Sequence, residues 1–398
     1  MTTFSAHFLG CKVSFADAQA IRERLLADGH TEQERGAADV AVVNTCCVTH
    51  EAVSKSRQAV SRAARTHRRV YVTGCAASLH GAFDVAAENV TVVARTGEDA
   101  AAAVAGDVGP IGCVQSVPRL ERVRAFVKIQ DGCSFSCAFC VIPLVRGGTR
   151  SRRAEAVLGE IRRRVADGHR EIVLTGVNLG CFRDRESGHT LARLIREAGS
   201  VPGVDRLRIS SIEVNHLTPE LVAALRETDT VSSHLHVPLQ SGDDAVLRAM
   251  RRRYTASQYL AKVGPLADFN LTADVIVGFP AENDAAFERT LRVVEQAGIT
   301  KVHVFPYSPR PGTITAAEDT VSPEVKKERG ARLRALSEGL CHRRWASKLG
   351  ATDRVLVDRP GRGYADDYSP WYVDAPVGEL VLARAVGLSE DGILGVAG

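Results

Sequence analysis

The sequence predicts an α/β protein in three parts: an amino-terminal α/β domain with a parallel sheet, a central partial (β/α)6 barrel and a small carboxyl-terminal antiparallel β-barrel. Three observations carry this. Short apolar runs alternate with helical stretches from Phe4 to Phe305, the rhythm of a parallel sheet with crossover helices. Gly and Pro break that rhythm near residues 106–119, as a linker does. After one long helical candidate, the pattern changes to short strands punctuated by Gly, Asp and Pro, as in small barrels. The expected divisions are 1–118, 119–340 and 341–398.

A chain of 398 residues with 45% hydrophobic content can bury more than one core. No run of about 18 apolar residues occurs, and Met1 to His7 lacks a basic stretch leading into an apolar one. The expectation is a soluble cytoplasmic protein with no membrane partner. Ten cysteines in such a compartment point to metal or catalysis rather than disulfides. The net charge of +4 mildly favours an acidic partner such as RNA.

In the first part, Phe4–Leu9, Val40–Val43, Val70–Val72 and Val90–Ala94 read as strands, with helices near Phe15–Asp28, Val53–Arg65 and Gly97–Val104. Cys11, Cys46 and Cys75 each follow the carboxyl end of a strand. In an open parallel sheet those ends share the edge where ligands bind, so thiols distant in sequence can meet there. Cys47 is expected to face the other way, because alternate residues of an extended segment point to opposite sides.

The second part opens with strand Arg124–Gln130, which delivers a loop holding Cys133, Cys137 and Cys140 at C-x3-C-x2-C spacing. Three thiolates aimed at one centre suit zinc or an iron-sulfur cluster. Structural zinc takes four protein ligands. The nearest upstream candidate is Cys113, and neither Cys nor His lies between Cys140 and His169. A 4Fe-4S cube on three cysteines instead leaves one iron open to a small chelating molecule.

Beyond the loop, the expected helices are Ala154–Asp167, Leu191–Ala198, Pro219–Glu227, Asp243–Met250, Ala256–Leu266 and Asn283–Ala297. The interposed strands are Glu171–Leu174, Arg206–Ser210, His234–Val237, Leu271–Val277 and Lys301–Phe305. Barrel sites form at carboxyl strand ends. Here those ends carry Thr175-Gly176-Val177-Asn178, Ser211-Ile212-Glu213, Gln240-Ser241-Gly242 and Gly278-Phe279-Pro280. Gly lets a backbone approach a flat ligand, and Glu213 can accept from hydroxyls. The basic runs Arg146–Arg153 and Arg251–Tyr254 are assigned to phosphate, the first toward an RNA backbone or a ligand carboxylate. His7, His50 and His303 are read as structural or exposed rather than catalytic, and no general acid or base is nominated.

With Phe139 directly before its third cysteine, the loop resembles the cluster loop of the radical S-adenosylmethionine (SAM) enzymes. That resemblance implies that Cys133, Cys137 and Cys140 hold a 4Fe-4S cluster whose open iron binds SAM, and that reductive cleavage of SAM yields a 5'-deoxyadenosyl radical. Leu9-Gly10-Cys11-Lys12-Val13, Asn44-Thr45-Cys46-Cys47-Val48-Thr49, Lys55-Ser56-Arg57 and Gly74-Cys75 resemble the amino-terminal domain of the methylthiotransferases. By that resemblance Cys11, Cys46 and Cys75 carry a second 4Fe-4S cluster whose open iron receives the sulfur to be delivered. Phe139, Thr175, Gly176, Asn178, Ser211, Glu213, Gln240 and Gly278 are the implied SAM-lining or substrate-lining residues.

The third part follows helix Pro323–Lys348, with short strands at Arg354–Asp358, Val373–Ala375 and Glu379–Arg384. Its position resembles the RNA-binding TRAM domain. Residues 351–398 depart from that pattern, holding four Arg, no Lys and eight Asp or Glu, which disfavours phosphate. Tyr364, Tyr368, Trp371 and Tyr372 are candidates for base stacking or for a small core.

Within the family, Gly10-Cys11-Lys12-Val13, Asn44-Thr45-Cys46, Thr175-Gly176-Val177-Asn178-Leu179-Gly180 and the compact carboxyl part look most like the branch that modifies N6-threonylcarbamoyladenosine in tRNA. The implied reaction places a methylthio group at C2 of that base in the anticodon stem-loop. SAM, an electron donor protein and a sulfur source are the other implied partners. Alternatives are isopentenyladenosine in tRNA or a ribosomal-protein aspartate as substrate. In another class stands a non-catalytic metal-stabilised RNA-binding protein, which would need fourth ligands and a basic surface.

Overall fold

The computed structural model describes residues 2–33, 38–79, 81–83, 87–112 and 123–398. Cys113 and the linker segment Val117-Pro118-Arg119 lie outside the described residues. The first sheet contains β1 (Thr3–Phe8), β2 (Thr31–Glu32), β3 (Val40–Thr45), β4 (Arg69–Gly74) and β5 (Val90–Val92), all parallel in the order β2-β1-β3-β4-β5. Helices α1 (Lys12–Ala27) and α3 (Gly97–Val108) cover one face, and α2 (His50–Thr66) the other. Val40 and Val42 pack with Ile21, Leu25 and Val104, while Ala41 and Val43 pack with Val60. Burial on both faces is why β3 reads as an unbroken apolar run. Strand β2 is too short to leave a period in the sequence.

Strands β6 (Arg124–Asp131), β8 (Glu171–Gly176) and β9 (Arg206–Ile209) run parallel, with the two-residue β7 (Arg150–Ser151) antiparallel against β6. A second parallel set comprises β10 (His234–His236), β11 (Asn270–Val277) and β12 (Ile299–Pro306). Leu207 bridges to Val231, and the Ile212 N–H donates to the His236 carbonyl at 2.9 Å, so the two sets form one curved wall. Among the described residues β6 and β12 do not pair, and the barrel stays partial.

Helices α5 (Ala154–Ala166), α6 (Leu191–Gly199), α7 (Pro219–Glu227), α8 (Asp244–Ala249), α9 (Ala256–Val263), α10 (Asp284–Gln296) and α11 (Pro323–Ala346) follow the strands, while the short α4 (Ile142–Arg146) follows the cysteine loop. Ile161, Leu174, Leu194, Leu235, Val275, Phe287 and Leu333 share one buried core. None of the described helices is long and apolar enough to cross a membrane.

The last part is a closed barrel of β13 (Thr352–Arg359), β14 (Arg362–Tyr364), β15 (Pro370–Tyr372), β16 (Leu380–Ser389) and β17 (Gly392–Ala397), in the order β13-β14-β15-β17-β16. Strand β15 takes Pro370–Tyr372 instead of the expected Val373–Ala375. That register buries Trp371 completely in the barrel core.

Tyr364 and Tyr368 stack on each other at 4.8 Å, beneath the Arg124 guanidinium at 4.7 and 5.3 Å. They sit in the joint with the central part. There Arg206, fully buried, donates to the carbonyls of Tyr364 (3.0 Å) and Arg354 (2.7 Å). Burial alone would push the Glu171 carboxyl up, but Arg208, Arg124 and Arg206 outweigh it and hold it at about 2. The core and the joint therefore occupy three of the four aromatic residues considered for base stacking.

Candidate active site

Sheet register brings the first three cysteines to one edge. Phe8 pairs with Asn44, and Thr45 with Gly74. Just beyond, the Leu9 N–H donates to the Asn44 carbonyl (2.9 Å) and the Cys75 N–H to the Thr45 carbonyl (3.1 Å). Cys11, Cys46 and Cys75 consequently leave the sheet at one edge. Two glycines permit this crowding. Gly10 has φ +126°, and a side chain there would meet the Cys46 Cβ at 3.0 Å and Sγ at 3.2 Å. Gly74 has φ +88°, and a Cβ would stand 2.0 Å from Asn44 Oδ1. Only glycine suits both backbone angle and space. Cys11 caps the start of α1 and is exposed, whereas Cys46 and Cys75 are buried.

Cys47 departs from expectation. It packs with Cys75, and both are buried. Strand β3 ends at Thr45, so strict alternation no longer governs where Cys47 points. The contact with Cys47, reinforced by Arg146, pulls the Cys75 thiol down against burial, and the same contact raises Cys47. Burial pushes Cys46 up to about 11.

The second trio sits on the loop after β6. The Phe135 N–H donates to Cys133 Sγ (3.4 Å), Asn178 Nδ2 to the same sulfur (3.7 Å) and Arg252 Nη1 to Cys137 Sγ (3.5 Å). Burial pushes Cys140 up to about 12. Buried thiols of this kind surrender their protons to a bound metal centre. The loop is sewn to the far side of the barrel: the Ala138 N–H donates to the Met250 carbonyl (3.0 Å), and Thr315 donates to the Ala138 carbonyl through N–H (3.2 Å) and Oγ1 (3.1 Å). Phe139 meets Phe279 edge-on at 6.5 Å.

Helix α4 links the trios. It starts two residues after Cys140, and Val141 and Val145 pack with Cys47 and Cys75. Arg146 Nε donates to Cys75 Sγ (2.9 Å), Nη1 to Asp131 Oδ1 (2.9 Å) and Nη2 to Asp17 Oδ2 (2.7 Å). Lys128 Nζ joins the same carboxylates at 2.5 and 3.1 Å. This corrects the assignment of the basic runs to phosphate at two places. Arg146 is buried inside the molecule, and the side chain of Arg252, 7% exposed, lies against Glu213 (3.1 Å) and Cys137. Sequence alone cannot separate a buried, paired arginine from a solvated one. Thr315 likewise left no local signal.

The remaining predicted residues lie around the second trio and the strand ends. The Asn178 N–H donates to Gln130 Oε1 (2.7 Å), and Gly176 stands so close to Gln130 and Leu179 that a Cβ would meet them at 2.9–3.0 Å. Thr175 Oγ1 and Asn178 Oδ1 are buried without partners. Glu213, besides pairing with Arg252, accepts from the Asn215 N–H (2.9 Å), and with Phe135 and Cys137 it lines a small cleft. Ser211 is half-buried beyond β9. Gln240 has φ +65° and bridges to Val275, while Gly278 turns against Lys326.

Sulfur ligands that receive N–H donors, beside orphaned buried oxygens, fit a thiolate-bound cluster with a polar ligand next to it. No group of three or more His, Cys, Asp or Glu side chains among the described residues is placed to hold a single metal ion.

Residues 3–94 match a model described as Uncharacterized protein family UPF0004, and residues 127–294 match the Radical SAM superfamily. The fold agrees with that of the radical S-adenosylmethionine methyltransferase TsrM from Kitasatospora setae, with a TM-score of 0.57 at 12% identity over 79% of this chain and 75% of that one. Fold and cysteine loop thus define a radical SAM protein. The chain is 37% identical to Threonylcarbamoyladenosine tRNA methylthiotransferase MtaB of Bacillus subtilis (strain 168), over 85% of this chain and 81% of that protein. It is 32% identical to tRNA-2-methylthio-N(6)-dimethylallyladenosine synthase of Clavibacter michiganensis subsp. michiganensis, over 94% and 78%. The chain belongs to the radical SAM tRNA methylthiotransferase family.

Proposed function

We propose that this protein inserts a methylthio group at C2 of N6-threonylcarbamoyladenosine next to the anticodon of tRNA, using SAM and two 4Fe-4S clusters. The convergence of Cys11, Cys46 and Cys75 on one sheet edge, joined through α4 to the Cys133 loop, carries the chemical part of this reading. Relatives named for threonylcarbamoyladenosine, at 33–37% identity, support the substrate.

Cys133, Cys137 and Cys140 would hold the cluster that binds SAM, and Cys11, Cys46 and Cys75 the one that receives sulfur. When bound, the first cluster and SAM supply one-electron cleavage of a carbon-sulfur bond, chemistry that belongs to the cofactor. The chain's own groups position and neutralise. Asn178 and Arg252 donate to the loop sulfurs, and Thr175 Oγ1 and Asn178 Oδ1 offer unfilled hydrogen-bonding capacity to SAM. Phe139, Gly176, Ser211, Glu213, Gln240 and Gly278 line SAM or the base. Sewing Ala138 to Met250 and Thr315 fixes the loop across the barrel mouth and limits the entry of water. An electron donor protein and a sulfur source complete the reaction in the cytoplasm. The working divisions remain 1–118, 119–340 and 341–398.

Nucleoside mass spectrometry of tRNA from a deletion strain tests the reading. The 2-methylthio derivative of N6-threonylcarbamoyladenosine disappears and returns with a plasmid copy. Loss of the dimethylallyl derivative instead would transfer the activity to that base, and no change in either would overturn the proposal.

A further inference from the structure

Three polar side chains inside the barrel are unused by the chemistry above. Side chains alternate along β10, β11 and β12. Leu235, Ala273, Val275 and Val302 pack outward into the core shared with the helices, so His236, Asp274 and His303 face inward. Register sets them side by side, because His236 pairs with Thr272 and Asp274 with His303. His236 Nε2 stands 3.2 Å from Asp274 Oδ1, its Nδ1 shares a hydrogen bond with Thr272 Oγ1 (2.9 Å), and its ring lies 5.5 Å from that of His303.

One step up the same face, Ile276 pairs with Phe305, and both belong to one apolar cluster with Phe139 of the cysteine loop. The polar group therefore lies about 7 Å below that cluster, two residues at strand spacing. The Gln240 N–H donates to the Asp274 carbonyl (2.8 Å), which ties the group to a strand end already placed beside SAM or the base. Beneath it, the His234 ring meets Tyr368 of the carboxyl-terminal barrel at 5.1 Å. His303 is exposed and the Asp274 side chain is 28% exposed. Imidazoles and a carboxylate thus stand open between an apolar lip and an aromatic floor.

We propose that His236, Asp274 and His303 bind the threonylcarbamoyl group of the substrate base and separate it from a base with an apolar substituent. This rests on the substrate reading above and names the residues that carry it. The threonylcarbamoyl group brings a carboxylate and a hydroxyl. Imidazole N–H groups donate to the carboxylate, and Asp274 accepts from the hydroxyl. A dimethylallyl substituent satisfies neither and would strip water from three polar side chains without replacing it. A site built to hydrogen-bond its substrate rejects an apolar analogue far more strongly than an apolar pocket rejects an added hydroxyl. The three are specificity residues and transfer no atom.

The test uses the full chain, reconstituted anaerobically with iron and sulfide, and four anticodon stem-loop RNAs that differ only at the target base. That base carries threonylcarbamoyl, the same group with its carboxyl amidated, dimethylallyl, or no modification, and affinity is read by fluorescence anisotropy. The parent should bind the threonylcarbamoyl loop about ten- to a hundredfold more tightly than its amide, the worth of a charged hydrogen bond. His303→Phe should lose that preference while iron content and affinity for the unmodified loop stay within about twofold, as expected of a double-mutant cycle on one contact. His303→Gln, which keeps an N–H donor, should recover part of it. An unchanged preference in His303→Phe, or equal affinity of the parent for acid and amide, overturns the proposal and leaves the substrate reading standing. Loss of iron or of unmodified-loop binding from His303→Phe overturns it as well, by giving His303 a structural role. A parent that prefers the dimethylallyl loop refutes the substrate reading and the proposal with it.

Discussion

Cys133, Cys137 and Cys140 come from one loop, whereas Cys11, Cys46 and Cys75 come from three neighbouring strand ends. Chain connectivity alone keeps the loop trio close, so its geometry survives modest changes in packing. The strand-end trio exists only while the β1-β3-β4 register holds and while Arg146 ties its edge to α4. The electrostatics differ as well: the loop sulfurs receive N–H donors from Phe135, Asn178 and Arg252, while Cys75 receives a guanidinium shared with two carboxylates. A local motif thus tolerates perturbation that a topological one does not.

The largest effect separates the trios by substitution. Cys137→Ala reduces SAM cleavage to background, measured as 5'-deoxyadenosine by chromatography. Cys46→Ala leaves cleavage within about twofold yet stops methylthiolation, since only the other cluster is lost. Normal thiolation by Cys46→Ala would remove the amino-terminal trio from the site.

Next comes the tie between them. Arg146→Ala leaves the buried Asp17 and the half-buried Asp131 with Lys128 as their remaining cation. Removing one partner of such a cluster costs about 3–5 kcal/mol, measurable by urea unfolding. Iron bound by the amino-terminal trio should be lost before that of the loop. Equal stability of the variant would show that the link carries little.

Acid probes the same tie more gently. Burial would raise the Asp131 carboxyl, but Lys128 and Arg146 outweigh it and hold it at about 2, below its ordinary 3.8. A depressed folded value means the stabilisation is complete above the ordinary value and is lost as pH falls toward 2. It amounts to about 2 kcal/mol. Urea midpoints should therefore be flat in this term from pH 7 to about 5 and fall below about pH 4, and Asp131→Asn should flatten that acid limb. An identical limb in the variant would contradict the ionised pairing.

The smallest effect concerns Cys47. Cys47→Ser keeps a hydrogen-bonding group against Cys75 and should change iron content and thiolation by less than about twofold. Loss of about half the iron would make Cys47 a ligand.

Much of this was legible in the sequence. The alternation of apolar runs and helices gave the parallel sheet and the partial barrel, and the spacing around Cys133 gave the loop trio. The strand ends at Cys11, Cys46 and Cys75 were readable because topology aligns them. What escaped depends on tertiary contact. The inward turn of Arg146 and Arg252 arises from Asp17, Asp131 and Glu213, residues remote in sequence or unremarkable in composition. Cys47 escaped because β3 ends two residues before it. Tyr364 and Tyr368 were ambiguous until the Arg124 joint gave them a place.

The claim that two separate trios each grip an inorganic cube is tested most directly by iron and acid-labile sulfide in the chain carrying Cys133→Ala, Cys137→Ala and Cys140→Ala. After anaerobic reconstitution this chain should retain about four irons and about four sulfides. A chain that retains none would contradict the account.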